Sequence, residues 1–339
     1  MRPADSLVEV LDPDLTDSRL QTVGRDPVAW AAGGLLTIAV RGGDRPPWLV
    51  GTVEQRMRPA GAGCWALRLR VPKLDRASIE YGLVDEDDRG WRPGGVWRGA
   101  RAGREAARAR VRLPEFEMLD APEREIADRH RGRCWSPPDP QALVLCADGE
   151  SIATWASVVA GADMPVALVG ISSAGRQVGR LEDDFDPTAD PRARAYLPDV
   201  DPPYFAAHMR YVLKTVLPWA RARVGNVPAL VFGASNGAAF AAAAAAMHPG
   251  AFAAALVFSL GVPPPFPAAD RDLPHALVAG QLEPGFYGNT TRYARQLRAR
   301  GVPVRLIRPM RGHDHTMWCD EFVPALRWAL EYRRPNHTT

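Results

Sequence analysis

The sequence predicts an α/β protein in which a mostly parallel, doubly wound sheet follows a small all-β sandwich of immunoglobulin-like kind. Three observations predict it. Short strand-like runs fill residues 1–113, strand-like and helix-like runs alternate through 114–335, and the apolar run 229–234 leads through a glycine-flanked serine into an alanine-rich stretch. Alternation of strands and helices is typical of a parallel sheet covered by helices. We therefore expect a sandwich domain over 1–113 and a second domain over 114–335.

The N-terminal strands are predicted from alternation of apolar and polar residues. Residues 65–71 (WALRLRV) alternate with the period of two that a half-buried strand shows. Similar strands are expected at 35–40, 48–53 and 78–84, and their spacing is typical of a small sandwich. Residues 104–112, rich in alanine and arginine, fit a helix or a strand equally well.

The second domain is predicted from short apolar runs separated by helical patterns. The polar, proline-rich segment 172–203 suits a loop over a site. Strands are expected at 142–146, 165–171, 229–234, 253–259, 275–280 and 304–307, and helices at 151–160, 204–224, 238–247, 290–300 and 322–332.

Composition argues against several classes of protein. The net charge is only +3, and basic residues spread among acidic ones are typical of a solvated surface, so nucleic-acid binding is not expected. The longest apolar run, 240–260, is interrupted by His248-Pro249-Gly250 and reads as helix, turn and strand rather than as a membrane span. The acidic residues 1–21 show no secretory signal. Four cysteines without metal-ligand spacing indicate no disulfide framework, so we expect a cytoplasmic protein.

The sequence around Ser235 has the pattern of a nucleophile elbow. Gly233-Ala234-Ser235-Asn236-Gly237 follows an apolar strand and opens a predicted helix. The two glycines lack a Cβ, so strand and helix can approach closely while the serine hydroxyl is pushed outward. Ser235 is therefore the predicted nucleophile.

A serine hydroxyl needs a base, and the base needs a group that orients it. In doubly wound hydrolases these groups follow in the order serine, acid, histidine, each after a strand. Glu283 follows the strand expected at 275–280, and His313 follows the strand expected at 304–307. We expect Ser235, His313 and Glu283 to form the catalytic set.

Alternatives exist for the base and for the acid. His315 lies on the same loop as His313, but Gly312 permits the tight turn that aims His313. Asp314 and Asp270 are alternatives to Glu283 as the acid.

The oxyanion of a tetrahedral intermediate needs two backbone donors. One is expected to be the N–H of Asn236, the residue after the nucleophile. The other is expected from the turn Asp148-Gly149-Glu150 after an earlier strand, with the N–H of Glu150 as the donor.

Several segments between Leu143 and Trp328 resemble the putative-esterase branch of the α/β-hydrolases, the group of enterochelin esterase, esterase D and the mycolyltransferases. The sequence departs from the family pattern at Ala195, where glutamate is frequent, and at Arg311, where the family often has glycine. The resemblance implies an α/β-hydrolase fold with a sandwich ahead of it, as in enterochelin esterases. The matching segments are 148–150 (DGE), 196–199 (YLPD), 216–219 (VLPW), 233–237 (GASNG), 248–252 (HPGAF), 279–283 (AGQLE) and 312–314 (GHD), with Trp318 beyond.

The predicted function is that of a serine hydrolase that cleaves small-molecule carboxylic esters, with a siderophore trilactone as the most specific candidate substrate. Asp148, Gly149, Arg194 and Trp318 are expected to contact the substrate. Two alternative functions are consistent with the sequence: an acyltransferase that uses the same site, and a catalytically silent binding protein. No metal or organic cofactor, no nucleic acid and no membrane partner is implied.

Arginines in or near the long loop are candidates for contact with an anionic iron complex. Besides Arg194, these are Arg176 and Arg180.

Overall fold

The computed structural model describes residues 7–84, 91–112, 115–119, 132–172, 187–264 and 272–332. The chain divides into two compact units. The first comprises Met1–Arg104, Gly280–Tyr287 and Arg308–Met317, and the second comprises Glu105–Ala279, Gly288–Ile307 and Trp318–Thr339. The expected domain limits at 113/114 and at 335 lie outside the described residues and stay predictions.

In the part of the chain that the structure describes, the first unit contains two antiparallel sheets. One sheet has the strand order β1-β7-β3-β2 with β6 beside β7, and the other has the order β5-β4-β8-β9. The immunoglobulin-like topology stays a prediction. The strands are β1 (Glu9–Leu11), β2 (Val28–Ala32), β3 (Leu35–Arg41), β4 (Trp48–Gly51), β5 (Gln55–Arg56), β6 (Arg58–Pro59), β7 (Cys64–Arg70), β8 (Ser78–Val84) and β9 (Trp91–Arg98).

Both sheets of the first unit contribute to one hydrophobic cluster. Ile38 on β3 and Leu67 on β7 belong to it together with Leu49 on β4 and Ile79 on β8. Alternate residues of these strands point into the cluster, as the period-two pattern predicts. Met310, from the third segment of the unit, packs in the same cluster.

The second unit is built on a mixed sheet. Among the described residues it has eight strands in the order β10-β11-β13-β12-β14-β15-β16-β17, antiparallel from β10 to β13 and parallel from there on. The strands are β10 (Glu117–Leu119), β11 (Gly132–Trp135), β12 (Ala142–Cys146), β13 (Val166–Ile171), β14 (Ala229–Ala234), β15 (Ala254–Phe258), β16 (His275–Val278) and β17 (Val304–Ile307).

Helices cover both faces of this sheet. Val231 and Val257 point into a cluster with residues of α3 to α6, whereas Phe232 and Phe258 point to the opposite side, where α1 and α7 pack. The mixed α/β class with a mostly parallel, doubly wound sheet is thereby confirmed. The helices are α1 (Ile152–Gly161), α2 (Pro191–Tyr196), α3 (Pro202–Tyr211), α4 (Leu217–Val224), α5 (Asn236–Met247), α6 (Pro284–Arg298) and α7 (His315–Tyr332), and a turn of π-helix (Val212–Val216) joins α3 to α4.

Three predictions of secondary structure need correction. The helix expected at 290–300 begins at Pro284, and the helix expected at 322–332 begins at His315. The segment 172–203, expected to be a loop, contains α2, while its residues 173–186 lie outside the described part of the chain. The undecided segment 104–112 has no helix or strand, and its Ala109 exchanges two hydrogen bonds with Ser157 of α1.

All four cysteines are buried. Within the described ranges, no helix is both long and apolar enough to cross a membrane.

Candidate active site

Ser235 lies in the second unit, between β14 and α5. Its backbone has φ 58° and ψ −123°, a conformation that residues other than glycine rarely adopt. Its N–H donates to the carbonyl of Phe258, at the end of neighbouring β15, over 3.0 Å. A Cβ at Gly233 would lie 1.9 Å from the carbonyl oxygen of Gly237, so only glycine fits there. The chain therefore folds as the strained turn that the glycine-flanked serine predicts.

Asn236 is the first residue of α5. The first N–H groups of a helix have no backbone acceptor within the helix, and the helix dipole places partial positive charge at the same end. The N–H of Asn236 therefore has the properties that an oxyanion donor requires. The helix behind it is buried along almost its whole length, because its alanines pack between the sheet and α2 to α4.

The turn that follows β12 lies against this elbow. A Cβ at Gly237 would meet Ala147 Cβ at 3.0 Å and Asp148 Oδ2 at 3.1 Å. Gly149 is packed on β13, where a Cβ would come within 2.7 Å of the Ile171 backbone. The predicted oxyanion turn and the predicted nucleophile are thus neighbours in one unit.

Asp148 holds a left-handed conformation, with φ 57°, and side chains of α2 hold it. Its N–H donates to the hydroxyl oxygen of Tyr196 over 2.8 Å. Arg192 donates to both carboxylate oxygens, from Nε over 2.6 Å and from Nη2 over 2.8 Å. Burial and the Asp148 carboxylate raise the pKa of Tyr196, so its hydroxyl stays neutral. Sequence reasoning assigned no role to Arg192 or to the hydroxyl of Tyr196.

Glu150, Arg194 and Trp318 are the remaining residues of the second unit that were predicted to bind the oxyanion or the substrate. Glu150 is exposed and lies in the 3-10 turn ahead of α1. Arg194 donates from Nε to Asp201 over 2.8 Å, and its guanidinium lies 4.6 Å from the ring centre of Tyr204. Trp318 donates from Nε1 to Ser259 Oγ over 2.9 Å. Substrate contact by these residues, by Asp148 and by Gly149 stays a prediction.

His313 and Glu283 lie together in the first unit. His313 Nδ1 is 2.7 Å from Glu283 Oε2, and the second carboxylate oxygen accepts the N–H of Gly280 over 2.6 Å. The Glu283 side chain is 1% exposed, whereas His313 keeps 29% of its side chain exposed. Phe286 stacks on the imidazole with ring centres 4.0 Å apart. This geometry holds the imidazole by one nitrogen and one face.

The structure describes two of the predicted alternatives to His313 and Glu283, namely His315 and Asp314. Asp314 accepts the N–H of Met317 over 2.7 Å and caps α7. Burial and the nearby Glu80 carboxylate raise the pKa of Asp314 to about 7. His315 is the first residue of α7, and Asp270 lies outside the described residues.

A family model described as putative esterase matches residues 136–328, more than half of the chain. The chain belongs to the putative esterase family. The resemblance predicted from the sequence motifs is therefore confirmed. The matched range contains Asp148, Ser235, Glu283 and His313.

Solved structures of esterases have a similar fold. The enterobactin esterase FES from Shigella flexneri matches with a TM-score of 0.65 and 14% identity, over 93% of this chain and 99% of that chain. The ferric enterobactin esterase from Salmonella typhimurium matches with a TM-score of 0.66 and 15% identity, over 93% and 98%. At these identities the likeness concerns the fold, and it extends over both units. A search of the curated proteins finds no match.

Membership of the putative esterase family supports ester hydrolysis as the reaction class. The catalytic roles of individual residues are proposals.

Proposed function

We propose that the protein is a serine esterase in which Ser235 attacks the ester carbonyl, His313 transfers the proton and Glu283 orients His313. The observation that carries this proposal is the 2.7 Å contact between His313 Nδ1 and the buried Glu283 carboxylate. An ionised carboxylate only accepts hydrogen bonds, so the contact requires a proton on Nδ1. The neutral imidazole then has its lone pair on Nε2, which is the nitrogen that can act as a base toward a serine hydroxyl.

Chain order supports the same assignment. The strands β14, β16 and β17 are parallel members of one sheet, so their carboxyl ends lie at the same edge. Ser235 directly follows the first of these strands, Glu283 comes five residues after the second and His313 six residues after the third. Active sites of open α/β sheets form at this edge.

The oxyanion is stabilised in this proposal by the N–H groups of Asn236 and Glu150. Negative charge develops on the former carbonyl oxygen of the ester when Ser235 attacks. Both N–H groups are already fixed at that point, that of Asn236 by the start of α5 and that of Glu150 by the packed turn around Gly149. A donor that needs no reorganisation during the reaction stabilises the transition state more than a mobile one.

The substrate class that we propose is a small-molecule carboxylic ester, with the ester bonds of a catecholate siderophore trilactone as the most specific case. Support comes from structures of similar fold that are named for enterobactin. Arg194, one of the arginines expected to meet an anionic complex, is held by Asp201 and Tyr204. Arg176 and Arg180 lie outside the described residues.

The proposal is tested by comparing the wild-type protein with Ser235→Ala on a short-chain p-nitrophenyl ester and on ferric enterobactin. Loss of the nucleophile is expected to lower kcat by a factor of about a thousand or more. A fluorophosphonate is expected to add one adduct, on Ser235. Ser157→Ala, which removes a hydroxyl that donates to Ala109, is the matched control and is expected to retain both activities.

Hydrolysis by Ser235→Ala at the wild-type rate would contradict the serine mechanism. Hydrolysis of the p-nitrophenyl ester without cleavage or binding of the ferric trilactone at high micromolar concentration would remove only the siderophore proposal.

A further inference from the structure

The loop that carries His313 is hydrogen-bonded to the strands of its own unit. Thr52, directly after β4, donates from Oγ1 to Asp314 Oδ2 over 2.9 Å. On β8, Glu80 accepts the N–H of Thr316 at its carboxylate over 2.8 Å. The residues that follow His313 are thus held by two side chains from the N-terminal part of the sequence.

Thr52 is itself held in one orientation. Its N–H donates to the carbonyl of Glu80 over 2.9 Å, and its hydroxyl oxygen accepts the N–H of Glu80 over 3.0 Å. Since the hydroxyl oxygen already accepts this N–H, its single proton is available for the Asp314 carboxylate. The hydroxyl therefore connects β8 to the histidine loop in a fixed direction.

Asp314 links the same hydroxyl to a helix. Its second oxygen accepts the N–H of Met317, so the carboxylate caps α7 while it accepts from Thr52. Asp314 is buried, with 4% exposure. A buried carboxyl oxygen that loses its donor is costly, because water cannot replace the hydrogen bond.

The residue before His313 also meets Thr52. A Cβ at Gly312 would lie 2.5 Å from Thr52 Cγ2 and 2.9 Å from Thr52 Cα. Both neighbours of His313 in the chain therefore contact one threonine, Gly312 through its backbone and Asp314 through its side chain.

We propose that Thr52 is a positioning residue for His313: its hydroxyl group holds the turn Gly312–Asp314, and thereby the imidazole, in the orientation needed for proton transfer. The inference rests on the proposed esterase function. Glu283 and Phe286 contact the imidazole itself. On the loop backbone, the N–H of Leu282 donates to the carbonyl of Arg311 over 2.8 Å. Thr52 adds contacts to both residues that flank His313.

The test replaces Thr52 by valine, which keeps the shape of the side chain and removes the hydroxyl. Displacements of the order of an ångström at a catalytic group have large effects on rate, and we expect kcat on a p-nitrophenyl ester to fall roughly tenfold or more, with KM changed less than about twofold. Thr52→Ser keeps the donor and is expected to restore most of kcat. Thr37→Val, the same change on half-buried β3, is the matched control and is expected to keep wild-type kcat.

A second readout separates positioning from loss of folded protein. The rate constant for fluorophosphonate labelling of Ser235 is expected to fall in parallel with kcat in Thr52→Val, at a temperature where thermal unfolding curves show the variant to be folded. If Thr52→Val does not fold, Thr52→Ala provides the same measurement with a smaller side chain.

The inference is overturned if folded Thr52→Val, or folded Thr52→Ala, keeps kcat within about twofold of the wild type, or if Thr37→Val loses as much. It is also overturned if Thr52→Ser is as impaired as Thr52→Val. Failure of the proposed function looks different, because the wild-type protein would then show no hydrolysis that depends on Ser235.

Discussion

At the scale of single residues, three carboxylates have three different partners. Glu283 is paired with the imidazole of His313, Asp148 is paired with the guanidinium of Arg192, and Asp314 accepts from a hydroxyl and a backbone N–H. A carboxylate takes its role from the group that it meets, because partner and burial together decide its charge and its geometry. In our proposal the first orients the base, the second holds the oxyanion turn and the third anchors the histidine loop.

The raised pKa of Asp314 predicts a pH-dependent stability. Burial and Glu80 raise this pKa to about 7, against the opposing effects of Thr52, Met317 N–H and Arg311. The unfolded chain ionises Asp314 near its ordinary value of 3.8, so the folded state binds more protons between the two values. The stabilisation is fully present below the lower value and is lost as the pH rises through the higher one.

Urea unfolding at pH 5 and pH 8 measures this effect. The wild type is expected to lose roughly 2 kcal/mol of unfolding free energy between pH 5 and pH 8 because Asp314 ionises. Asp314→Asn is not expected to show this loss, since the asparagine does not ionise. Wild-type and variant stabilities that change in parallel with pH would contradict the assignment.

The pair of Arg192 and Asp148 predicts an effect on turnover. Arg192→Gln removes a bidentate partner from a residue in a left-handed conformation, so the oxyanion turn should lose its fixed position. We expect kcat to fall about tenfold, which is less than the loss of a whole oxyanion donor, with KM little changed.

Arg223→Gln is the control for this variant, because it breaks an equally short but more exposed ion pair with Glu117 in the same unit. It is expected to keep the wild-type kcat. Equal kcat values for the two variants would show that Arg192 does not support the turn.

At the scale of elements, the elbow between β14 and α5 depends on one glycine. A Cβ at Gly233 would lie 1.9 Å from a backbone oxygen, so Gly233→Ala requires strand and helix to separate. We expect this variant to lose several kcal/mol of stability or to fail to fold. Thermal unfolding compares it with Gly250→Ala, which has no atom within 4 Å of the new Cβ and is expected to stay within about 1 kcal/mol of the wild type.

The same elements show which features could be predicted from the sequence. The elbow was predictable because its pattern is local: a strand, a glycine-flanked serine and a helix adjoin in the chain. The paired positions of Glu283 and His313 were predictable from the order of the strands. The short strands β10 and β11 gave no clear pattern, and the early start of α6 was missed because its first turns contain Gly285 and Gly288, which are weak helix formers.

Long-range contacts could not be predicted from one sequence. The start of α7 is held by Asp314 and by Glu80, which is more than two hundred residues away in the chain. The contacts of Thr52 with Asp314 and of Arg192 with Asp148 likewise join distant positions. No periodicity or motif marks such partners, so these residues became visible only in the structure.

At the scale of the whole molecule, the proposed catalytic residues are divided between two compact units. Ser235 and the proposed oxyanion donors, Asn236 and Glu150, belong to the second unit, while His313 and Glu283 belong to the first. The first unit is also formed by the N-terminal sheets, whose Thr52 holds the histidine loop. The proposed function predicts that Ser235 and His313 act in the same step of hydrolysis.

A double-mutant cycle on kcat with Ser235→Ala, His313→Ala and the combined variant tests this claim most directly. Residues that act in one step are strongly non-additive. The account predicts that the combined variant is no slower than Ser235→Ala alone, because the imidazole has no further task once the hydroxyl is gone. The opposite result is a combined variant whose kcat is reduced by the product of the two single-variant factors. Such independent losses would contradict the claim.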